Sequence, residues 1–282
     1  GGIEISFPNP ARDLKSGREA ALVTTKQLVG EGEIELSEAE RMANERKRVR
    51  HQGITSYQFC GKSGAQLLFP LSGELYLVTL DARGHQVRKL TEEKKPRLDP
   101  QCDDKGERVY FVEDSDLYVI EVKSKKARRL TTRPGPNVHN GVAEFIAQEE
   151  MGRYTGYWPS PDGKWLAFLQ VDESGVGVKK RPFIHADRTE LFEQRYPAAG
   201  EANAEVRLHL LELKSGRITP QRISSDDGYL PRVGWAESEG ELRLWAQWQS
   251  RDQKKLQLLW GEPHASRAIA FEQLLEETDD AW

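Results

Sequence analysis

Glu149 and Glu150 are the residues whose type and spacing point most directly to chemistry. They close a stretch in which Val142, Phe145 and Ile146 trace an apolar stripe at helical spacing, and the next positions on that stripe hold carboxylates instead of a core hydrophobe. Two adjacent carboxylates repel one another, and partial desolvation raises their pKa values unless a cation neutralises them. The pair therefore favours an ammonium ligand, whose three donors two carboxylates can accept with charge-assisted geometry. A peptide amino terminus fits that description. The competing reading is structural: Arg153, or an arginine from elsewhere in the chain, pairs with these acids as a salt bridge. The receptor reading expects both side chains to face an open cavity.

Other chemistry is sparse. No Gly-x-Ser-x-Gly elbow occurs, since the segments around Ser63 and Ser238 both fail the pattern. The six histidines, His51, His85, His139, His185, His209 and His264, are scattered, with no nucleophile assignable beside them. By itself the chain is expected to be catalytically inert. Cys60 and Cys102 allow at most one intramolecular disulfide; they fall near equivalent turns of neighbouring repeats and need not be close. No Cys/His cluster has zinc spacing, and Gly175-Val176-Gly177 is too short a glycine pattern to cradle phosphate, so no cofactor is expected.

The elements that must position the acids emerge from internal repetition. Four segments share a turn glycine followed by a short strand ending in an aromatic: Gly64 to Phe69, Gly106 to Phe111, Gly163 to Phe168 and Gly240 to Trp245. A strand lies upstream, as in Thr55 to Phe59 and Arg232 to Trp235. A third follows downstream, as in Gly73 to Val78 and Asp116 to Ile120, and a fourth ends in Lys89-Leu90-Thr91 or Arg129-Leu130-Thr131. Four strands per unit is the architecture of a propeller blade. A blade cannot bury both faces of its own sheet, so neighbours must stack. The marker glycines are 42, 57 and 77 residues apart; the first spacing suits a bare blade, and the others imply insertions. An ordinary antiparallel sandwich with similar hairpins is the alternative.

Composition agrees with a folded chain of 282 residues, 37% hydrophobic and 30% charged. With 41 basic against 45 acidic side chains and a net charge of -4, there is no basic footprint for nucleic acid. The longest apolar runs are far short of the roughly 20 residues that span a bilayer as a helix. Ser37 to Glu40 reads as a capping box opening a helix from Glu38 to Arg50, with basic residues in its last turn. The expectation is thus an all-β chain: residues 1–50 an N-terminal segment with a helix, and residues 51–282 part of a β-propeller of four-stranded antiparallel blades, with a short helical insertion carrying the Glu pair. The start, Gly1-Gly2-Ile3, lacks an initiator Met or a signal pattern, and four units are few for a closed ring, so a piece of a longer protein is expected.

Asn140 to Trp158, followed by Ser160-Pro161-Asp162-Gly163-Lys164, closely resembles the propeller segment of the dipeptidyl peptidase IV family. Tyr196-Pro197-Ala198-Ala199-Gly200-Glu201-Ala202-Asn203 is similar to that family's Tyr-Pro-x-x-Gly-x-x-Asn segment. The resemblance implies that Glu149 and Glu150 clamp the free amino terminus of a peptide substrate, and that an early-blade arginine, matched here to Arg50, also contacts the bound dipeptide. It further implies a serine peptidase releasing N-terminal X-Pro or X-Ala dipeptides. The catalytic residues of such an enzyme sit on a separate C-terminal α/β-hydrolase domain. Homodimers and export to the periplasm or secretion are expected on the same ground, a cytoplasmic location being the alternative. Residues 178–190 read as an inserted connection that touches a partner subunit. Two other readings remain, a non-catalytic propeller binding peptides or proteins and a catalytically dead homologue.

Overall fold

The computed structural model describes residues 11–12, 19–20, 23–30, 36, 38–49, 53–81, 84–184 and 186–280. The chain divides into two compact units, residues 1–130 and 131–282.

In the first unit, short strands β1 (Ala11–Arg12) and β2 (Glu19–Ala20) pair, and helices α1 (Thr25–Val29) and α2 (Glu38–Arg46) follow. One antiparallel sheet runs through β3 (Gln58–Cys60), β4 (Gln66–Leu71), β5 (Glu74–Asp81) and β6 (Gly84–Lys89) in sequence order. A second holds β7 (Leu98–Cys102), β8 (Arg108–Glu113), β9 (Asp116–Glu121) and β10 (Ala127–Arg129). These are the expected four-stranded meanders. All four marker glycines have positive φ, between 62° and 79°, a region that glycine enters without a Cβ penalty. At Gly106 the space is closed as well, because a Cβ would lie 2.4 Å from Oε1 of Gln66.

Both faces of the first sheet are apolar. Leu68, Leu75 and Leu77 pack with Val109, Phe111 and Ile120 of the second sheet, while Leu67, Phe69, Tyr76 and Val78 pack with Val23 of the N-terminal segment and with Ile54. Alternate residues of one strand thus feed two cores, as the period of two requires. The recurring Lys/Arg-Leu-Thr ending has a physical role. Lys89 pairs with the buried Glu74 at 2.9 Å, and Arg129 pairs with the buried Asp116. Between them the leucine amides close the sheet edge, Leu90 donating to the Leu75 carbonyl and Leu130 to that of Leu117.

One point that the sequence leaves open is answered, and one expectation needs correction. Cys60 and Cys102 do come together, with Cα atoms 5.4 Å apart, as a disulfide joining β3 to β7. Equivalent ends of adjacent blades are neighbours across the stacking seam, and Gln58 lines the same seam by donating to the Pro100 carbonyl. The N-terminal helix also stops at Arg46 instead of Arg50. Arg48 has turned to φ 55°, so the helix cannot continue through it. Ser37, Arg50, His51 and His185 lie outside the described residues.

The second unit contains β11 (Val138–Asn140), α3 (Phe145–Glu150), β12 (Tyr157–Pro159) and β13 (Trp165–Asp172). Next come β14 (Val178–Ile184), β15 (Thr189–Arg195), β16 (Glu205–Glu212) and β17 (Ile218–Gln221). β11 and β12 both pair with β13, which pairs with β16 and then β17, while β14 and β15 form a separate antiparallel ribbon where residues 178–190 read as an insertion. The last sheet has β18 (Gly228–Tyr229), β19 (Val233–Ser238), β20 (Glu241–Ser250), β21 (Lys255–Gly261) and β22 (Glu272–Thr278). Ala167, Leu169 and Val171 of β13 share one core with Leu208, Leu230, Leu244, Ala246 and Trp248. Among the described residues no helix is long and apolar enough to cross a membrane.

Two measurements test this packing. The Cys60–Cys102 bridge closes a loop over a separation of 42 residues. Its removal in Cys60→Ser/Cys102→Ser should cost about 2–4 kcal/mol, read as a lower midpoint of chemical denaturation that reductant reproduces in the parent protein. His209, half-buried and stacked 5.2 Å from Phe168, has its pKa lowered, chiefly by desolvation. Its native state favours neutral imidazole, so the contribution is complete above the ordinary value near 6.5 and is lost as pH falls towards the lowered one. Thermal scans should show that loss below about pH 6.5 in the parent and a flatter profile in His209→Gln.

Candidate functional site

The candidate site begins as a break in an edge strand. β11 aligns with residues 170–172 of β13 and β12 with residues 166–168, so the two are halves of one strand from which the chain departs after Asn140 and to which it returns at Tyr157. The excursion is drawn shut at its neck by a bridge between Val142 and Thr155. Gly156 permits this closeness, since a Cβ there would stand 2.3 Å from the Val142 carbonyl. The excursion carries α3, with Ala147 fully buried beneath it.

Glu149 and Glu150 form the last turn of α3, and both are exposed. Helix C-termini carry partial negative charge and normally attract cations there. In α3 the order is reversed, with no basic residue in the last turn. Neither carboxylate has a cationic partner among the described residues. The arrangement concentrates unpaired negative charge at one point, which an ammonium would relieve.

Arg153 is not that partner. Its Nη2 lies 2.8 and 2.7 Å from the two carboxylate oxygens of Glu144, both residues being only 5% exposed. Nη1 donates to the Thr155 carbonyl at 2.9 Å and Nε to the Leu230 carbonyl at 3.1 Å. Sequence reasoning reached the right arginine and the wrong acids. Glu144, as the residue preceding α3, offers no helical-stripe signal, and its pairing depends on the chain doubling back. A second difference concerns the hollow. A small cleft, open to solvent, lies beside the first turn of α3, lined among others by Glu144, Phe145, Ile146, Glu173, Arg195 and Tyr229. Glu149 and Glu150 stand outside its lining, at the other end of the helix and towards solvent. Six residues suffice to put the two ends of α3 in different surroundings.

The cleft wall is internally bonded. Arg195 donates to the Val176 carbonyl at 2.7 Å, and Asn203 Nδ2 donates to the Tyr229 hydroxyl at 3.3 Å. Tyr196, from the second family-like segment, meets Phe145 edge-on with ring centres 5.1 Å apart. The two motif segments are therefore in contact, a relation that their separation in sequence conceals. No group of three or more His, Cys, Asp or Glu residues that could hold a metal occurs among the described residues. Arg50 lies outside them.

Stacked four-stranded antiparallel sheets with a helical excursion from an edge strand place the chain in the all-β, propeller-type class. The profile of the dipeptidyl peptidase IV (DPP IV) N-terminal region matches residues 44–282, and the chain belongs to that family. It is 33% identical over 174 residues to a probable dipeptidyl peptidase 4 of Aspergillus fumigatus, covering 57% of this chain and 22% of the relative. Against human dipeptidyl peptidase 8 it is 30% identical over 270 residues, covering 80% of this chain and 29% of the relative. The crystal structure of Porphyromonas gingivalis dipeptidyl peptidase 4 superposes with a TM-score of 0.70 at 22% identity, covering 98% of this chain and 38% of that one. The chain thus spans less than a third of these curated relatives.

Removing a single partner from the buried ion pair should be far worse than removing both. Arg153→Met strands the Glu144 charge and should destabilise by about 3–5 kcal/mol, whereas Glu144→Met/Arg153→Met should recover much of that loss. A double-mutant cycle by urea denaturation checks it; a double effect equal to the sum of the two single effects would mean the two side chains are uncoupled.

Proposed function

We propose that this chain is the substrate-receiving propeller region of a serine dipeptidyl peptidase that removes N-terminal X-Pro or X-Ala dipeptides. One observation carries the reading: two adjacent, exposed carboxylates at the end of α3, without a cation among the described residues. The ammonium of a peptide substrate docks on Glu149 and Glu150. With the amino end held there, the chain is measured out so that only the bond two residues along reaches the nucleophile. The clamp takes no part in bond making; its binding energy goes into orientation and length selection. Arg50 is proposed as a further contact to the dipeptide on family resemblance.

Two subsidiary proposals accompany this. The Cys60–Cys102 disulfide favours an oxidising compartment, hence the periplasm or the exterior. The ribbon of β14 and β15 exposes Val178, Phe183, Ile184 and Leu191, an apolar surface that supports a homodimer.

The test uses the full-length protein and an X-Pro anilide with a free amino terminus. Glu149→Gln and Glu150→Gln should each lower kcat/KM by about 100-fold, roughly 2.7 kcal/mol, while leaving the thermal midpoint unchanged because both sites are exposed. Parent-like kinetics in both variants would remove the clamp.

A further inference from the structure

The acids of the clamp are exposed, yet the few residues around them are fixed with unusual thoroughness. On one side Ala147 is fully buried, and its carbonyl accepts from the amides of both Met151, at 3.2 Å, and Arg153, at 2.9 Å. On the other side the Arg153 side chain spends its donors on three separate points. Nη2 holds both oxygens of Glu144 before the helix, Nη1 holds Thr155 at the neck of the excursion, and Nε holds Leu230. The Leu230 carbonyl lies where the edge strand of the last sheet is itself interrupted, between β18 and β19. Glu149 and Glu150 therefore sit on a five-residue span between two anchors, with Arg153 bonded to the helix by its backbone and to the sheet beyond by its side chain.

We propose that Arg153, held by Glu144, is a positioning residue that sets where the amine clamp stands; this rests on the reading of Glu149 and Glu150 as that clamp. A guanidinium suits the task because its planar fork donates in several fixed directions at once, which an ammonium on a flexible stem cannot reproduce. Glu144 has a second effect. By occupying the guanidinium at short range it keeps the nearest arginine in sequence from neutralising Glu149 and Glu150, leaving their charge for the substrate.

The experiment again uses the full-length protein and the free-amine X-Pro anilide. Arg153→Lys keeps the charge and loses the fork, and Glu144→Gln keeps the size and can still accept from Arg153. A displaced clamp weakens the hold on the amine in ground and transition states alike, so KM should rise about tenfold with kcat held within about twofold. A pair that merely supports the fold would instead lower kcat through loss of active protein at constant KM, and that result overturns the proposal. So does an unchanged KM in folded Arg153→Lys. If Arg153→Lys does not fold, Glu144→Gln is judged by the same split. Glu149→Gln and Glu150→Gln, measured in parallel, separate the two ideas. Their impairment beside a normal Arg153→Lys removes only the positioning role, whereas their normality removes the clamp and the positioning role with it.

Discussion

A sheet whose two faces are both apolar cannot be left as a single layer, and that constraint organises this chain. In β4 and β5 successive residues alternate between two cores, Leu68 and Leu77 towards the second sheet and Phe69 and Val78 towards the N-terminal segment. Fully burying each such side chain contributes about 1.5–3 kcal/mol, and that gain exists only when a neighbour covers each face. β13 and β20 repeat the solution in the second unit, where Leu169 and Leu244 enter a common core. Stacking is thus the condition under which these strands are stable at all.

Stacked sheets leave their functional variation to the strand edges and connections. A sheet packed against a neighbour tolerates a broken edge strand, and here the break between β11 and β12 releases the excursion that carries α3. The polar groups that an interruption frees must still be satisfied. Arg153 does so for Thr155 and Leu230, which lie at the interruptions of two different edge strands, and Glu144 balances its charge. A buried ion pair is a poor device for raw stability, because desolvation offsets most of the attraction. Its value here is geometric: it ties down the excursion carrying a short helix whose exposed terminal acids have no cationic partner among the described residues.

Much of this was legible in the linear chain. The four marker glycines each occupy a positive-φ turn, the strands fall where the alternating patterns put them, and a short helix bears the paired acids. These signals are local, set by periodicity and by the steric freedom of glycine. The helix end near Arg46 was misplaced because the left-handed turn at Arg48 is not encoded by a glycine. The disulfide stayed open and the Glu144–Arg153 pair was missed because each joins positions that become adjacent only when blades stack or a loop closes.

The division has a physical basis. Residue type and spacing by themselves determined the strand period, the four-stranded repeat, the acidic pair and the family likeness, since each depends on neighbours within a turn or a hairpin. Only the tertiary structure decided which acid receives Arg153, that Cys60 meets Cys102, and that Glu149 and Glu150 point to solvent and not into the cleft beside Phe145. Those outcomes turn on distances between segments remote in sequence. Such distances are set by the packing of whole sheets, and no local preference specifies them.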